Sequence, residues 1–123
     1  MLRTRVMVAG PAALTGIIAE LFGNRPEFEV VAFAPGLRGL ARKAARVAPD
    51  LIVAHIKPIG TGVRAAVESI KRASPRSKLV VICAVPDFMQ DARRCGADAC
   101  VKQEQLVAAL LPAVTRISKR PLS

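Results

Sequence analysis

Short apolar runs alternate with amphipathic segments along this chain, and the alternation constrains the fold more than any other feature. The most apolar run, Leu51-Ile52-Val53-Ala54-His55-Ile56, has almost no polar interruption, as expected of a parallel strand buried on both faces. Four more runs have strand character: Arg5–Ala9, Phe28–Phe33, Leu79–Cys83 and Ala99–Val101.

Segments with an apolar period near 3.6 separate these strands and predict helices. The predicted helices are Leu14–Phe22, Pro35–Val47, Val63–Ala73, Phe88–Cys95 and Glu104–Ile117. Leu37 is expected on the inner face of the second helix, and Pro112 is expected to kink the last one. Strands that alternate with helices predict an α/β domain, a parallel sheet with helices on both faces, over residues 1–117. Residues 118–123 are expected to form a polar, basic tail.

Composition narrows the class of protein. The 123 residues suit one domain, and Phe is the only aromatic residue type, so aliphatic side chains must build the core. No apolar run approaches the roughly 18 residues of a membrane span, and the N-terminus carries no export signal. We therefore expect a cytoplasmic protein that does not enter a membrane.

The cysteines admit two interpretations. Cys83, Cys95 and Cys100 lack the paired spacing of a metal site. Cys83 and Cys100 lie on strands expected to be adjacent, so a redox-sensing pair is one interpretation. Reduced thiols that act as small buried apolar residues are the simpler one. We expect no metal and no cofactor.

The chain is strongly basic, with 19 Lys and Arg against 9 Asp and Glu and a net charge of +10. Such a charge raises the possibility of a nucleic-acid partner. The basic residues are dispersed, although Arg38, Arg42 and Arg46 form a stripe on the outer side of the second predicted helix. The sequence has no helix-turn-helix pattern and no exposed aromatics for base stacking, which disfavours nucleic-acid binding.

Three phrases give the chain a family resemblance. They are Pro26-Glu27-Phe28-Glu29-Val30-Val31, Ala48-Pro49-Asp50-Leu51-Ile52-Val53 and Cys95-Gly96-Ala97-Asp98-Ala99. In this order and spacing the chain resembles the CheY-like receiver domains of bacterial response regulators. The resemblance implies a flavodoxin-like three-layer (βα)5 sandwich, with the five strands in the order 2-1-3-4-5.

The resemblance also implies where a phosphorylation pocket would lie. Receivers carry an acidic pair, an acceptor Asp, a switch hydroxyl and a Lys at the carboxyl ends of their strands. The corresponding positions here are Ala9 and Gly10 for the acidic pair, His55 for the acceptor, Cys83 for the hydroxyl and Lys102 for the lysine. Lys102 arrives one residue early, with Gln103 in the expected register. A pocket without carboxylates is not expected to hold Mg²⁺, which prefers oxygen ligands.

These observations predict a degenerate receiver without enzymatic activity. Its expected role is phosphorylation-independent protein interaction in two-component-type signalling, with another signalling protein or a second copy of itself as partner. The last helix has a broad apolar arc, in which Val107, Leu111 and Val114 form a candidate interface; the alternative is a helix that lies deeper in the core. Two alternatives stay open: a nucleic-acid-binding regulator, and a sensor that binds an anionic ligand near His55 and Lys102.

Overall fold

A computed structural model describes residues 3–56, 62–84 and 96–118. The strands are β1 (Thr4–Ala9), β2 (Phe28–Ala34), β3 (Leu51–Ile56), β4 (Lys78–Cys83) and β5 (Ala99–Lys102). The helices, numbered within these residues, are α1 (Ala12–Gly23), α2 (Leu40–Val47), α3 (Gly62–Ala73) and α4 (Leu106–Ser118). A 3₁₀ turn at Gln103–Gln105 precedes α4. The five predicted strands are confirmed to within one residue at either end.

The strands form one parallel sheet in the order β2-β1-β3-β4-β5, which confirms the flavodoxin-like architecture. β3 lies at the centre, and all of its residues are buried, as its apolar sequence predicts. Because every strand runs in the same direction, the carboxyl ends meet at one edge of the sheet. We call this the carboxyl edge and the opposite one the amino edge.

The two faces of the sheet have separate apolar cores. α1 and α4 cover one face, where Phe22 packs edge-to-face on Phe28 with ring centroids 4.9 Å apart. α2 and α3 cover the other face through residues that include Leu40 and Ile70. Side chains alternate between these faces along each strand, so a residue's register decides which core it joins.

Two carboxylates at the amino edge form hydrogen bonds that connect neighbouring strands. Asp50 accepts the backbone N–H of Arg5 on its Oδ2 at 2.8 Å, and its own carbonyl accepts the N–H of Lys78 at 2.9 Å. Asp98 accepts the N–H of Leu79 on its Oδ2 at 2.7 Å and donates its own N–H to the Leu79 carbonyl. These bonds tie the starts of β1, β3, β4 and β5 together.

Two helices start later than the sequence predicts. α2 begins at Leu40, because Gly39 directly before it adopts a left-handed conformation with φ 76°, and the predicted start at Pro35 is wrong. Leu37 therefore precedes the helix. α4 begins only after the 3₁₀ turn, and Pro112 lies inside it on the exposed side.

Three further predictions concern the C-terminal tail, the helix after β4 and the lack of a membrane span. Ser118, expected to begin the tail, is the last residue of α4, and residues 119–123 lie outside the described part of the chain. The predicted helix from Phe88 to Cys95 also lies outside it. Within the three described ranges, no helix is both long enough and apolar enough to cross a membrane.

Candidate functional site at the carboxyl edge

A buried histidine stands at the carboxyl edge of the central strand. His55 is the next-to-last residue of β3, and side-chain alternation places it on the α1/α4 face with Val53. Only 6% of its surface is exposed. A buried imidazole needs a hydrogen-bond partner to offset the loss of contact with water.

Gln103 supplies that partner. It follows β5 directly, and its side-chain oxygen Oε1 lies 2.7 Å from Nε2 of His55. An amide oxygen can only accept a hydrogen bond, so Nε2 carries the proton and donates it. Nε2 therefore has no free lone pair with which to attack a phosphoryl group while the bond is intact.

Ala9 is the last residue of β1 and Gly10 follows it beside this pair, at the two positions where receivers carry their acidic side chains. Both residues are buried. Gly10 has φ 150°, and a Cβ added to it would lie 3.0 Å from the Cβ of His55, so the histidine would have to shift. Glycine at position 10 thus leaves room for the side chain of His55.

An apolar groove opens next to the His55–Gln103 pair. Its volume is about 510 Å³, and Pro11, Leu14, Ile17, His55, Ala84 and Gln103 contribute to its walls. A second groove of about 400 Å³ shares Leu14, Ile17 and Gln103 and continues along the start of α4 past Val107. Two large apolar side chains of these walls are exposed, Ile17 by 44% and Val107 by 68%. We call the two together the His55 groove.

Lys102 and Cys83 lie on the other face of the sheet. Val101 belongs to the α1/α4 core, so its neighbour Lys102 is directed to the α2/α3 side, in register with Cys83. Cys83 is 2% exposed and belongs to the α2/α3 core. Gln103, in the turn after β5, therefore contacts His55, whereas the candidate residue Lys102 does not.

The predicted interface on the last helix divides into three environments. Val107 is largely exposed, as an interface residue must be. Leu111 is half-buried and packs against the α1/α4 core. Val114 is fully buried in that core, so its assignment to an interface is wrong, because no partner can reach it in the folded chain.

Ile17 is a groove residue that no sequence motif singles out. It belongs to the apolar period of the first helix beside Ile18, and in the structure Ile18 is buried in the core while Ile17 is exposed. The sequence does contain a signal for an exposed apolar residue in this helix. Its apolar arc is wider than the face that packs on the sheet, and it comprises Leu14, Ile17, Ile18, Leu21 and Phe22.

The groove has few ionisable side chains. Of the described residues that line its larger part, His55 is the only ionisable one, and Glu104 lines the smaller part. Across residues 3–56, 62–84 and 96–118, no group of three or more His, Cys, Asp or Glu side chains could hold a metal ion. The described walls of the groove are mainly apolar, which suits contact with apolar groups.

Comparison with known proteins identifies the fold. No protein-family model and no curated protein matches the chain. Among solved structures, it is similar to a LuxR-family two-component response regulator from Aurantimonas sp. SI85-9A1, with TM-score 0.82 and 22% identity over 94% of this chain and 84% of that one. It is also similar to the signal receiver domain of NarL from Mycobacterium tuberculosis, with TM-score 0.77 and 15% identity over 98% and 100% of the two chains.

A longer protein of the same kind also matches. The RcsB response regulator of Salmonella typhimurium has TM-score 0.83 and 17% identity; the match covers 97% of this chain but 61% of that one. The solved RcsB structures include a complex with DNA. The chain thus has the receiver fold, as its three sequence phrases predicted.

Proposed function

We propose that this receiver-fold chain is a pseudo-receiver, a non-catalytic module that binds a protein partner without being phosphorylated. The observation that carries the proposal is the His55–Gln103 pair beside Ala9 and Gly10. Phosphoryl transfer in receivers requires a metal ion that bridges the acceptor carboxylate and the phosphoryl group. Here the three family positions for carboxylates hold Ala9, Gly10 and His55, and the lysine position in register holds Gln103.

The His55 groove is the proposed contact surface. Ile17 and Val107 expose large apolar side chains on its walls. Exposed apolar residues grouped around a concave surface favour protein association, since their burial in a complex removes them from water. We place the module in bacterial two-component-type signalling in the cytoplasm, with another signalling protein or a second copy as partner.

Capture of partners from the native host tests this role. The immobilised chain is compared with Ile17→Glu and Val107→Glu, which place a charge on the groove wall. Phe33→Glu is the matched control, because Phe33 is 47% exposed but does not line either part of the groove. We expect a captured protein that both groove variants lose, that the control retains, and whose binding acetyl phosphate does not change.

Two outcomes would contradict the proposal. One is capture that appears only after treatment with acetyl phosphate and Mg²⁺, which would show a working phosphorylation switch. The other is a captured protein that the groove variants bind as well as the native chain does, which would show that the contact surface lies outside the groove. Size-exclusion chromatography of the same variants separates self-association from binding to a different protein.

A nucleic-acid-binding function is the second candidate, and one observation favours it. Arg38, Arg42 and Arg46 are all exposed on and just before α2, as the basic stripe predicts. If these residues neutralise phosphates, affinity for random duplex DNA must fall steeply with salt and decrease in the triple Arg→Ser variant. Weak affinity with little salt dependence would favour the protein-interaction role.

Binding of an anionic ligand is less favoured than either role. Lys102 lies on the opposite face of the sheet from His55, and the described groove walls are mainly apolar. A thermal-shift screen with phosphorylated metabolites tests this alternative. A melting temperature that rises with metabolite concentration would support it.

A further inference from the structure

Two thiols meet across the last pair of strands. In the β4–β5 register Cys83 lies opposite Lys102 and Cys100 lies opposite Val81, so the cysteines are diagonal neighbours two residues apart. Both point to the α2/α3 side of the sheet, where Cys83 belongs to the core and Cys100 packs against it. Neither forms a disulfide.

The two thiols interact directly. A hydrogen bond from Cys100 lowers the pKa of the Cys83 thiol, while burial acts in the opposite direction. Cys83 is buried, whereas Cys100 is partly exposed on β5, an edge strand, and gives access from solvent.

The backbone geometry disfavours a disulfide between these residues. With strands about 4.8 Å apart and a rise of about 3.3 Å per residue, diagonal neighbours have Cα atoms about 8 Å apart. A disulfide requires a Cα separation of about 4.4–6.8 Å. Oxidation would therefore have to pull β5 toward β4 against the register of the ladder.

A soft ion bridging both sulfurs needs no such movement. Two thiolates on one tetrahedral centre, with metal–sulfur bonds of about 2.3 Å, lie about 3.8 Å apart, close to van der Waals contact. Hydrogen-bonded thiols already hold their sulfurs at about this separation. Thiolates also select soft ions over the hard cations that carboxylates bind.

We propose that Cys83 and Cys100 form a two-thiolate site for a thiophilic metal or metalloid, on the face of the sheet opposite His55. Binding of a trivalent arsenical of the type R–As=O illustrates the chemistry. Two S–H bonds break, two As–S bonds form, and the arsenic-bound oxygen leaves with both protons as water. No oxidant or reductant takes part.

Phenylarsine oxide and Cd²⁺ serve as probes. The reduced chain is titrated in the presence of excess monothiol, and adducts are counted by intact mass under non-denaturing conditions; thiolate-to-cadmium charge transfer reports the metal. We expect one adduct per chain, reversal by a dithiol, and a higher melting temperature for the loaded protein. Loss of either cysteine removes the chelate and weakens binding by about a hundredfold or more.

Three variants decide the assignment. Cys100→Ala changes a partly exposed edge residue and is expected to abolish binding with the fold intact, as circular dichroism verifies. Cys83→Ala should do the same, and Cys95→Ser, which leaves both proposed ligands in place, should bind as the native chain does. Binding of neither probe, full binding by Cys100→Ala, or loss of binding in Cys95→Ser would overturn the proposal.

Discussion

The two edges of the sheet differ in chemistry. At the amino edge, Asp50 and Asp98 accept backbone N–H groups from neighbouring strands, and Asp98 also forms an ion pair with Lys71 at 3.3 Å. At the carboxyl edge, the side chains of His55 and Gln103 are hydrogen-bonded to each other beside an apolar groove. The amino edge holds the strands in place, whereas the carboxyl edge is where receivers do their chemistry.

This difference accounts for a chain that has the receiver fold without carboxylates at the family's phosphorylation positions. The three phrases that carry the resemblance all enter strands at the amino edge, including Pro49-Asp50 before β3 and Ala97-Asp98 before β5. In two of these phrases, Asp50 and Asp98 accept backbone hydrogen bonds that hold neighbouring strand starts together. The fold can therefore persist after the carboxyl edge has lost its carboxylates.

The largest stability loss is expected at the amino edge, in Asp98→Ala. This change leaves the buried N–H of Leu79 without its acceptor and removes the partner of Lys71, so the free energy of unfolding should fall by about 2–3 kcal/mol. Asp98→Asn keeps an oxygen acceptor and should lose less. Chemical denaturation measures both, and an alanine variant as stable as the native chain would contradict the fastening role.

A smaller loss is expected at the carboxyl edge from Gly10→Ala. The added Cβ meets the Cβ of His55 at 3.0 Å, at a φ that disfavours side chains, so we expect about 1–3 kcal/mol of destabilisation. Gly16→Ala in α1 is the matched control, since nothing lies within 4 Å of its added Cβ. The control should be neutral or more stable. Equal stabilities of the two variants would mean that Gly10 and His55 are not matched.

The smallest of these effects is the coupling between His55 and Gln103. In a double-mutant cycle of His55→Ala and Gln103→Ala, we expect an interaction free energy of about 0.5–1.5 kcal/mol, since each single change removes the same hydrogen bond. Thermal or denaturant unfolding of the four proteins gives this value. Additive effects would show that the pair does not hold the carboxyl edge together.

The sequence predicts the strands better than the surfaces. A short, almost wholly apolar run such as Leu51–Ile56, bounded by Pro49-Asp50 and a polar loop, favours a buried strand, and the structure has that strand at the same residues. Which members of a broad apolar arc face the core depends on neighbours distant in sequence, so the sequence alone does not show that Val114 is buried and Ile17 exposed. Lys102 and Gln103 illustrate the same difficulty. A shift of one residue in register places a side chain on the opposite face of the sheet, so the sequence does not decide which of the two reaches His55.

The central claim is that the carboxyl edge does not accept a phosphoryl group, and acetyl phosphate tests it most directly. The native chain is incubated with acetyl phosphate and Mg²⁺, and its intact mass is measured at neutral pH, because phosphohistidine is lost in acid. The account predicts no added phosphate. A stable phosphate on the native chain that disappears in His55→Ala would contradict it.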